Sequence, residues 1–398
     1  MIPPIHPFPA RMAPDLAMEQ LKKVPCGAVV LDPMAGSGTV LRQATELGHR
    51  ALGFDTDPLA VLMANVWTRS YDGALVDRLA EQVIAEARRA GAAEPLDWID
   101  DDPETAAFVE YWFADPQRSD LRRLALCLAK LERKRSASAR KTAGDVLRLA
   151  LSRIIITKDQ GVSLARDTSH SRPHRVAAKS AVSVFQAFER SVRQLGRLLE
   201  KSPPNGRCEV GLGDARALRS VENGAIDAVL TSPPYLNAID YMRGHRLSLV
   251  WLGYRLSDLR KIRADSIGAE RGADQPWAAG LFDEILEAMG PVERMSGRHR
   301  GMVERYCEDV YRLMSEMARV LKSDGKAILI VGNSCLKGQF IRNSGGVTRA
   351  GEMVGLRLRG ELERELPHRN RYLPMPKVGE GSLGKRMRTE TILTFSRA

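Results

Sequence analysis

The chain has 398 residues, 44% apolar and 27% charged, the balance of an ordinary globular protein, which excludes a fibrous or disordered one. No stretch approaches the roughly 18 uninterrupted apolar residues of a membrane span, and the start Met1-Ile2-Pro3-Pro4-Ile5-His6-Pro7 lacks the basic and apolar parts of a signal peptide. A cytoplasmic protein without a membrane partner is expected, and a net charge of +11 makes a polyanionic partner plausible.

In chain order, residues 28–32 form a short apolar run that passes into Pro33-Met34-Ala35-Gly36-Ser37-Gly38-Thr39 and then into helical spacing over 40–47. A second run, 50–55, ends at Asp55, and Pro58 opens a helix to about residue 69. This is a βαβ unit. From 74 to about 200, Ala, Leu and Arg recur at helical spacing, with Ile154-Ile155-Ile156-Thr157 the one strand-like exception. Strand patterns resume at 209–214 and 226–231, the second leading into Ser232-Pro233-Pro234-Tyr235. A helix over 303–321 puts Tyr306, Val310, Leu313, Met317 and Leu321 on one face; strands are expected at 327–331 and 391–395. No internal repeat is evident.

The boundaries that follow are 1–73 for a cofactor-binding first part, 74–205 for a helical basic insertion and 206–398 for a catalytic second part. The charge excess is concentrated: residues 118–201 hold twenty Lys or Arg and seven Asp or Glu, +13, so the remainder is near neutral. Such a block suits phosphate contacts. Inside it the polar loop Thr168-Ser169-His170-Ser171-Arg172-Pro173-His174-Arg175 cannot continue a helix through Pro173. Arg172, His174 and Arg175 are its candidate nucleic-acid contacts, because guanidinium groups bind phosphate or guanine bidentately. Cysteines 26, 127, 208, 307 and 335 make no CxxC pair, and the loop histidines lack a Cys or acidic partner at ligand spacing, so no metal is expected.

Glycines at 36 and 38 let backbone amides approach a ligand beyond a strand end. A phosphate-binding P-loop needs Lys before Thr39, where Gly38 stands, and a dinucleotide fingerprint needs a glycine where Leu41 stands. A smaller nucleoside remains, and S-adenosylmethionine fits: Asp55 would accept from the ribose hydroxyls, Asp32 would hold the ammonium and Asp214 the adenine amino group.

Two prolines after a strand fix the backbone and leave carbonyls free to accept. An exocyclic amine on a nucleobase is a poor nucleophile because its lone pair is conjugated with the ring. If Ser232 and the Pro233 carbonyl accept its two hydrogens, the nitrogen becomes tetrahedral and can attack a sulfonium methyl. Tyr235 would stack on the base once that base is rotated out of the duplex.

Together, residues 32–39 and Thr231-Ser232-Pro233-Pro234-Tyr235 resemble the DNA amino-methyltransferases of cytosine N4 and adenine N6, over roughly residues 1–70 and 208–398. The resemblance implies a class I methyltransferase fold, a Rossmann-like, mostly parallel sheet with helices on both faces, here with a helical insertion. It implies S-adenosylmethionine bound by His6-Pro7-Phe8, by Asp32, Pro33, Ala35, Gly36, Gly38 and Thr39, and by Asp55 and Asp214. It further implies catalysis at Ser232, Pro233, Pro234 and Tyr235 on double-stranded DNA, and admits a cognate restriction endonuclease as partner. Serine at 232, in place of Asp or Asn, is closer to the cytosine-amino members, so N4-methylcytosine is expected ahead of N6-methyladenine. An RNA amino-methyltransferase and a non-catalytic nucleic-acid-binding protein on the same fold are the lesser alternatives. A C5-cytosine enzyme is excluded because Pro25-Cys26 precedes the glycine loop.

Overall fold

The computed structural model describes residues 3–8, 11–91, 94–133, 138–157, 161–166, 173–236, 240–269, 280–291, 295–336, 339–365 and 389–397. The chain divides into two compact units: a helical one of residues 1–9, 57–204 and 240–263, and a sheet unit of residues 10–56, 205–239 and 264–398.

The sheet unit begins with α1 (Pro14–Leu21), β1 (Val29–Asp32), α2 (Thr39–Glu46) and β2 (Arg50–Asp55). The helical unit then runs through α3 (Pro58–Thr68), α4 (Gly73–Arg89), α5 (Asp97–Asp100), α6 (Pro103–Trp112), α7 (Gln117–Arg133), α8 (Ser138–Ile155), the hairpin β3 (Ala165–Arg166) and β4 (His174–Arg175), and α9 (Val184–Glu200). Three of its helices start from one local device, an aspartate cap before Pro or Gly: Asp57, Asp72 and Asp102 each accept from a backbone amide of the first turn. β5 (Cys208–Leu212) and β6 (Ile226–Thr231) belong to the sheet, and α10 (Met242–Leu249) and most of α11 (Leu256–Asp265) to the helical unit. The sheet unit closes with α12 (Asp283–Met289), α13 (Gly297–Val320), β7 (Leu321–Gly332), the hairpin β8 (Ser334–Leu336) and β9 (Gln339–Ile341), α14 (Asn343–Met353), β10 (Leu356–Glu365) and β11 (Thr389–Arg397).

The main sheet has the order β10-β11-β7-β6-β1-β2-β5. Strands β5, β2, β1, β6 and β7 are mutually parallel, and β11 and β10 add antiparallel at one edge. This is the Rossmann-like, mostly parallel architecture expected. Its central strands are buried on both faces. Leu31, Val229, Leu329 and Val331 share a cluster with Val310, Leu313 and Met314 of α13, while Val30, Ala228, Ile328 and Ile330, which alternate with them, are also at most 4% exposed. From β1 the chain places β2 and β5 on one side and β6 and β7 on the other. The topological switch therefore falls between β1 and β6, and the crevice outside their carboxyl ends is where such sheets bind ligands.

Three sequence expectations shift. The helical unit takes in residues 1–9 and 240–263, and its long segment starts at Asp57, not at residue 74. The reason is burial: Leu59, Met63, Val66 and Trp67 of α3 and Leu247, Val250 and Trp251 share the apolar cluster of the inserted helices. The β-branched run at 154–157 forms no strand: Ile154 and Ile155 end α8, where Ile155 is fully buried among helices and packing overrides strand propensity. Leu321 begins β7 instead of ending the helix before it.

Candidate active site

Both motifs lie at the switch point of the sheet unit. β1 delivers Asp32, 3% exposed, to the edge of the glycine loop, and β6 delivers Thr231 beside it; the Thr231 hydroxyl donates to Asp32 Oδ1 at 2.7 Å. The Met34 amide donates to the same oxygen at 3.2 Å. Burial pushes the Asp32 carboxyl up to about 7 against these two donors, and the nearby Asp55 charge adds to the rise. Gly36 and Gly38 hold φ of 51° and 88°, left-handed backbone that side chains disfavour, and Gly38 caps α2. The loop is stitched to the end of β2 by Ala35 N to Phe54 O and Gly36 N to Asp55 Oδ2, both 2.8 Å. Within it, Ser37 Oγ and Thr39 Oγ1 are buried and have no hydrogen-bond partner among the described residues. Pro33 and Ala35 complete the turn, so the sequence candidates from 32 to 39 and Asp55 form one wall.

Asp214 lies just past β5. Both its oxygens are gripped by the Arg216 guanidinium at 2.7–3.1 Å, and Arg216 also pairs with Asp309 of α13 at 2.5 Å. Burial raises the Asp214 carboxyl, but the Arg216 contacts outweigh it and hold the group below its ordinary range. Any adenine amino group reaching Asp214 would share the carboxylate with Arg216. Asp57, the neighbouring acid after β2, is occupied elsewhere: it caps α3 through Leu59 N at 2.8 Å and meets His245 Nδ1 at 2.5 Å in the helical unit.

The tetrapeptide follows β6 directly. The Ser232 hydroxyl donates to the Ile330 carbonyl of β7 at 3.0 Å and lies 3.3 Å from the Tyr235 hydroxyl. Its single proton is thus committed to β7, so in the pair with Tyr235 it is the tyrosine hydroxyl that donates, and Oγ acts only as an acceptor. Pro234 O accepts from the Tyr306 hydroxyl at 3.1 Å, whereas no described residue donates to the Pro233 carbonyl. Burial drives the Tyr235 phenol up to about 12, so it stays neutral, tied to Ser232 by its hydroxyl.

In the helical unit, His6 Nδ1 donates to Pro7 O at 2.7 Å and Nε2 lies 2.9 Å from Ser152 Oγ; Ser152 in turn donates to Ser248 Oγ at 3.0 Å. Phe8 stacks on Tyr241, ring centres 4.9 Å apart and 15° from parallel. Residues 5–8 are thereby seated on α8 and α10, with Arg153 reaching Ile5 O. His174 and Arg175 form the second strand of the β3–β4 hairpin and are exposed; the Arg175 guanidinium lies 4.9 Å above the ring of Tyr111, itself 51% exposed. Arg172 and residues 167–171 lie outside the described residues. Among the described residues no group of three or more His, Cys, Asp or Glu could hold a metal, and no helix is long and apolar enough to cross a membrane.

Sequence reading missed Thr231 as the partner of Asp32, and missed Arg216, Asp309 and Tyr306. The spacing Asp214-Ala215-Arg216 after a strand was the available signal for the first of these arginine contacts. Tyr306 carried none, because its partner is 72 residues away.

No protein-family model matches the chain. In sequence it is similar to the Type II methyltransferase M.MjaII of Methanocaldococcus jannaschii, 38% identical over 69 residues, covering 17% of this chain and 13% of that protein. It is also similar to M.BsoBI of Geobacillus stearothermophilus, 23% identical with 60% of this chain and 49% of that protein covered, and to M.AvaI of Anabaena variabilis, 22% identical with 76% and 68% covered. The chain thus spans about an eighth of the first relative and half of the second. Among solved structures, a TehB-like SAM-dependent methyltransferase from Corynebacterium glutamicum superposes with a TM-score of 0.30 at 10% identity, over 96% of this chain and 88% of that one. These matches agree with the resemblance read from the sequence: the chain is similar in sequence to Type II methyltransferases.

Proposed function

We propose that the protein is an S-adenosylmethionine-dependent DNA methyltransferase acting on an exocyclic base amine, N4 of cytosine before N6 of adenine. One observation carries the reading. At the switch point of the sheet, one turn presents two acceptors: Ser232 Oγ, whose proton is turned to Ile330 and which keeps a lone pair beside the one met by the Tyr235 hydroxyl, and the Pro233 carbonyl, to which no described residue donates. An amine with two hydrogens suits that pair. Accepting both draws its nitrogen out of conjugation with the ring and exposes the lone pair, with no covalent enzyme intermediate required.

The cofactor fits the residues present. The left-handed glycines open the loop backbone, Ser37 Oγ and Thr39 Oγ1 are buried polar atoms lacking a partner, and Asp32 is a buried carboxyl that an ammonium would ionise. Asp32, Pro33, Ala35, Gly36, Gly38, Thr39 and Asp55 would hold it, with His6, Pro7 and Phe8 contributing as the family resemblance implies, and with Asp214 contributing beside its pairing with Arg216. When bound, S-adenosylmethionine supplies a methyl group on a sulfonium. Asp55 accepts from ribose hydroxyls, Tyr235 offers an aromatic surface to the base, and Ser232 with Pro233 orients the amine.

Double-stranded DNA is the proposed substrate, its phosphates met by Arg172, His174 and Arg175 of the helical unit. Serine at the head of the tetrapeptide supports cytosine. A Type II relationship supports a cognate restriction endonuclease as the partner and the cytoplasm as the site of action. Incorporation of labelled methyl groups into duplex DNA, tRNA and protein fractions tests the reading: label in DNA alone is expected, and label confined to tRNA or protein overturns it.

A further inference from the structure

Tyr306 projects from α13, is 1% exposed, and gives its hydroxyl to the Pro234 carbonyl at 3.1 Å. Burial holds its phenol far above the ordinary range, so it remains a donor at any working pH. A Pro-Pro turn has two carbonyls and lacks both amide protons. With one carbonyl taken by Tyr306, the other, at Pro233, is the turn's open acceptor.

A second strut stands on the same helix three residues later, the spacing that puts two side chains on one face. Asp309 accepts from Gly268 N at 3.3 Å and pairs with Arg216, which grips Asp214. Gly268 lies directly against the turn: a Cβ there would stand 3.2 Å from the Tyr235 carbonyl. One face of α13 therefore braces Pro234 directly and Tyr235 through Gly268.

We propose that Tyr306 is a positioning residue for methyl transfer, its hydroxyl occupying the Pro234 carbonyl so that the Pro-Pro turn keeps the Pro233 carbonyl open to the base amine. The role rests on the amino-methyltransferase reading. Without the hydroxyl, Pro234 O loses its donor, and either proline carbonyl can compete for the amine hydrogen in the wrong orientation. Misplacement of this kind affects turnover far more than affinity.

Tyr306→Phe keeps the ring that fills the core, and Tyr311→Phe, on the same helix but packed at a tilt against Phe282, serves as control. With duplex DNA and S-adenosylmethionine, Y306F is expected to lower kcat ~10-fold or more while both KM values stay within about twofold, with Y311F unchanged. The carbonyl ¹³C resonance of Pro234 is expected to move in Y306F and not in Y311F. An active wild type with unimpaired kcat in Y306F, or an unmoved Pro234 resonance, overturns the positioning role alone, as does a fall in cofactor affinity proportional to the loss of rate. A wild type that transfers no methyl group to any DNA overturns the functional reading, and this role with it.

Discussion

The Thr231 hydroxyl donates to Asp32 Oδ1 at 2.7 Å, joining residues 199 positions apart in the chain. One ends the strand that feeds the glycine loop and the other ends the strand that feeds the tetrapeptide, so the two motifs share a buried hydrogen bond at the switch point of the sheet.

Asp32 should make stability depend on pH in an unusual direction. Its folded pKa, about 7, is raised above the unfolded 3.8, so between these values the native state binds one more proton than the unfolded chain. Stability then falls as pH rises through that window, by on the order of 4 kcal/mol in total. Urea unfolding at pH 5 and pH 7.5 measures it. In Asp32→Asn this group's contribution vanishes, and an unchanged pH dependence in that variant contradicts the assignment.

The same carboxyl makes cofactor affinity pH-dependent. A cationic amine beside Asp32 favours its ionised form, so binding should release close to one proton near pH 6 and tighten as pH rises toward 7. Calorimetry in buffers of different ionisation enthalpy counts that proton; proton uptake, or no exchange in wild type, argues against the contact.

Asp55→Ala removes the acceptor for Gly36 N and the proposed acceptor for the ribose. Cofactor binding should weaken by roughly 1.5–3 kcal/mol, with turnover recovering at high cofactor concentration. Unaltered affinity in a titration would place the ribose contact elsewhere; Asp57, held by Leu59 N and His245, is not a ready substitute.

Arg175 lies over Tyr111 on an exposed hairpin. If it meets a phosphate, Arg175→Ala should weaken DNA binding across sequences and flatten the slope of log affinity against log salt by about 0.9, and Arg172→Ala with Arg175→Ala by about twice that. Anisotropy titrations over a salt series read both. Normal binding by the folded double variant transfers the role to the basic segment 357–388.

What was legible in the sequence is what the chain does locally. The strand–glycine–helix of residues 29–46, the acid ending β2, and Ser-Pro-Pro-Tyr after β6 are fixed by neighbours within a few residues, and each stands where the sequence puts it. Contacts that depend on tertiary proximity were not legible. Arg216 meets Asp309 across 93 residues and Tyr306 meets Pro234 across 72, and helical periodicity marks Tyr306 only as a core-facing residue. The unit boundary at Asp57 was hidden for a similar reason: α3 reads as the helix that follows directly on the second strand of the βαβ unit, yet its apolar residues bury with the inserted helices.

The most direct test of the central claim is to digest DNA methylated by the protein to nucleosides and identify the product by mass spectrometry, for wild type and Ser232→Ala in parallel. N4-methylcytosine from wild type is expected, with at least about a 100-fold loss of rate in Ser232→Ala and cofactor affinity within about twofold. N6-methyladenine alone keeps the amine chemistry but reverses the choice of base. A methyl group on carbon, or a Ser232→Ala enzyme as fast as wild type, contradicts the account of Ser232 and Pro233 as acceptors of the amine hydrogens.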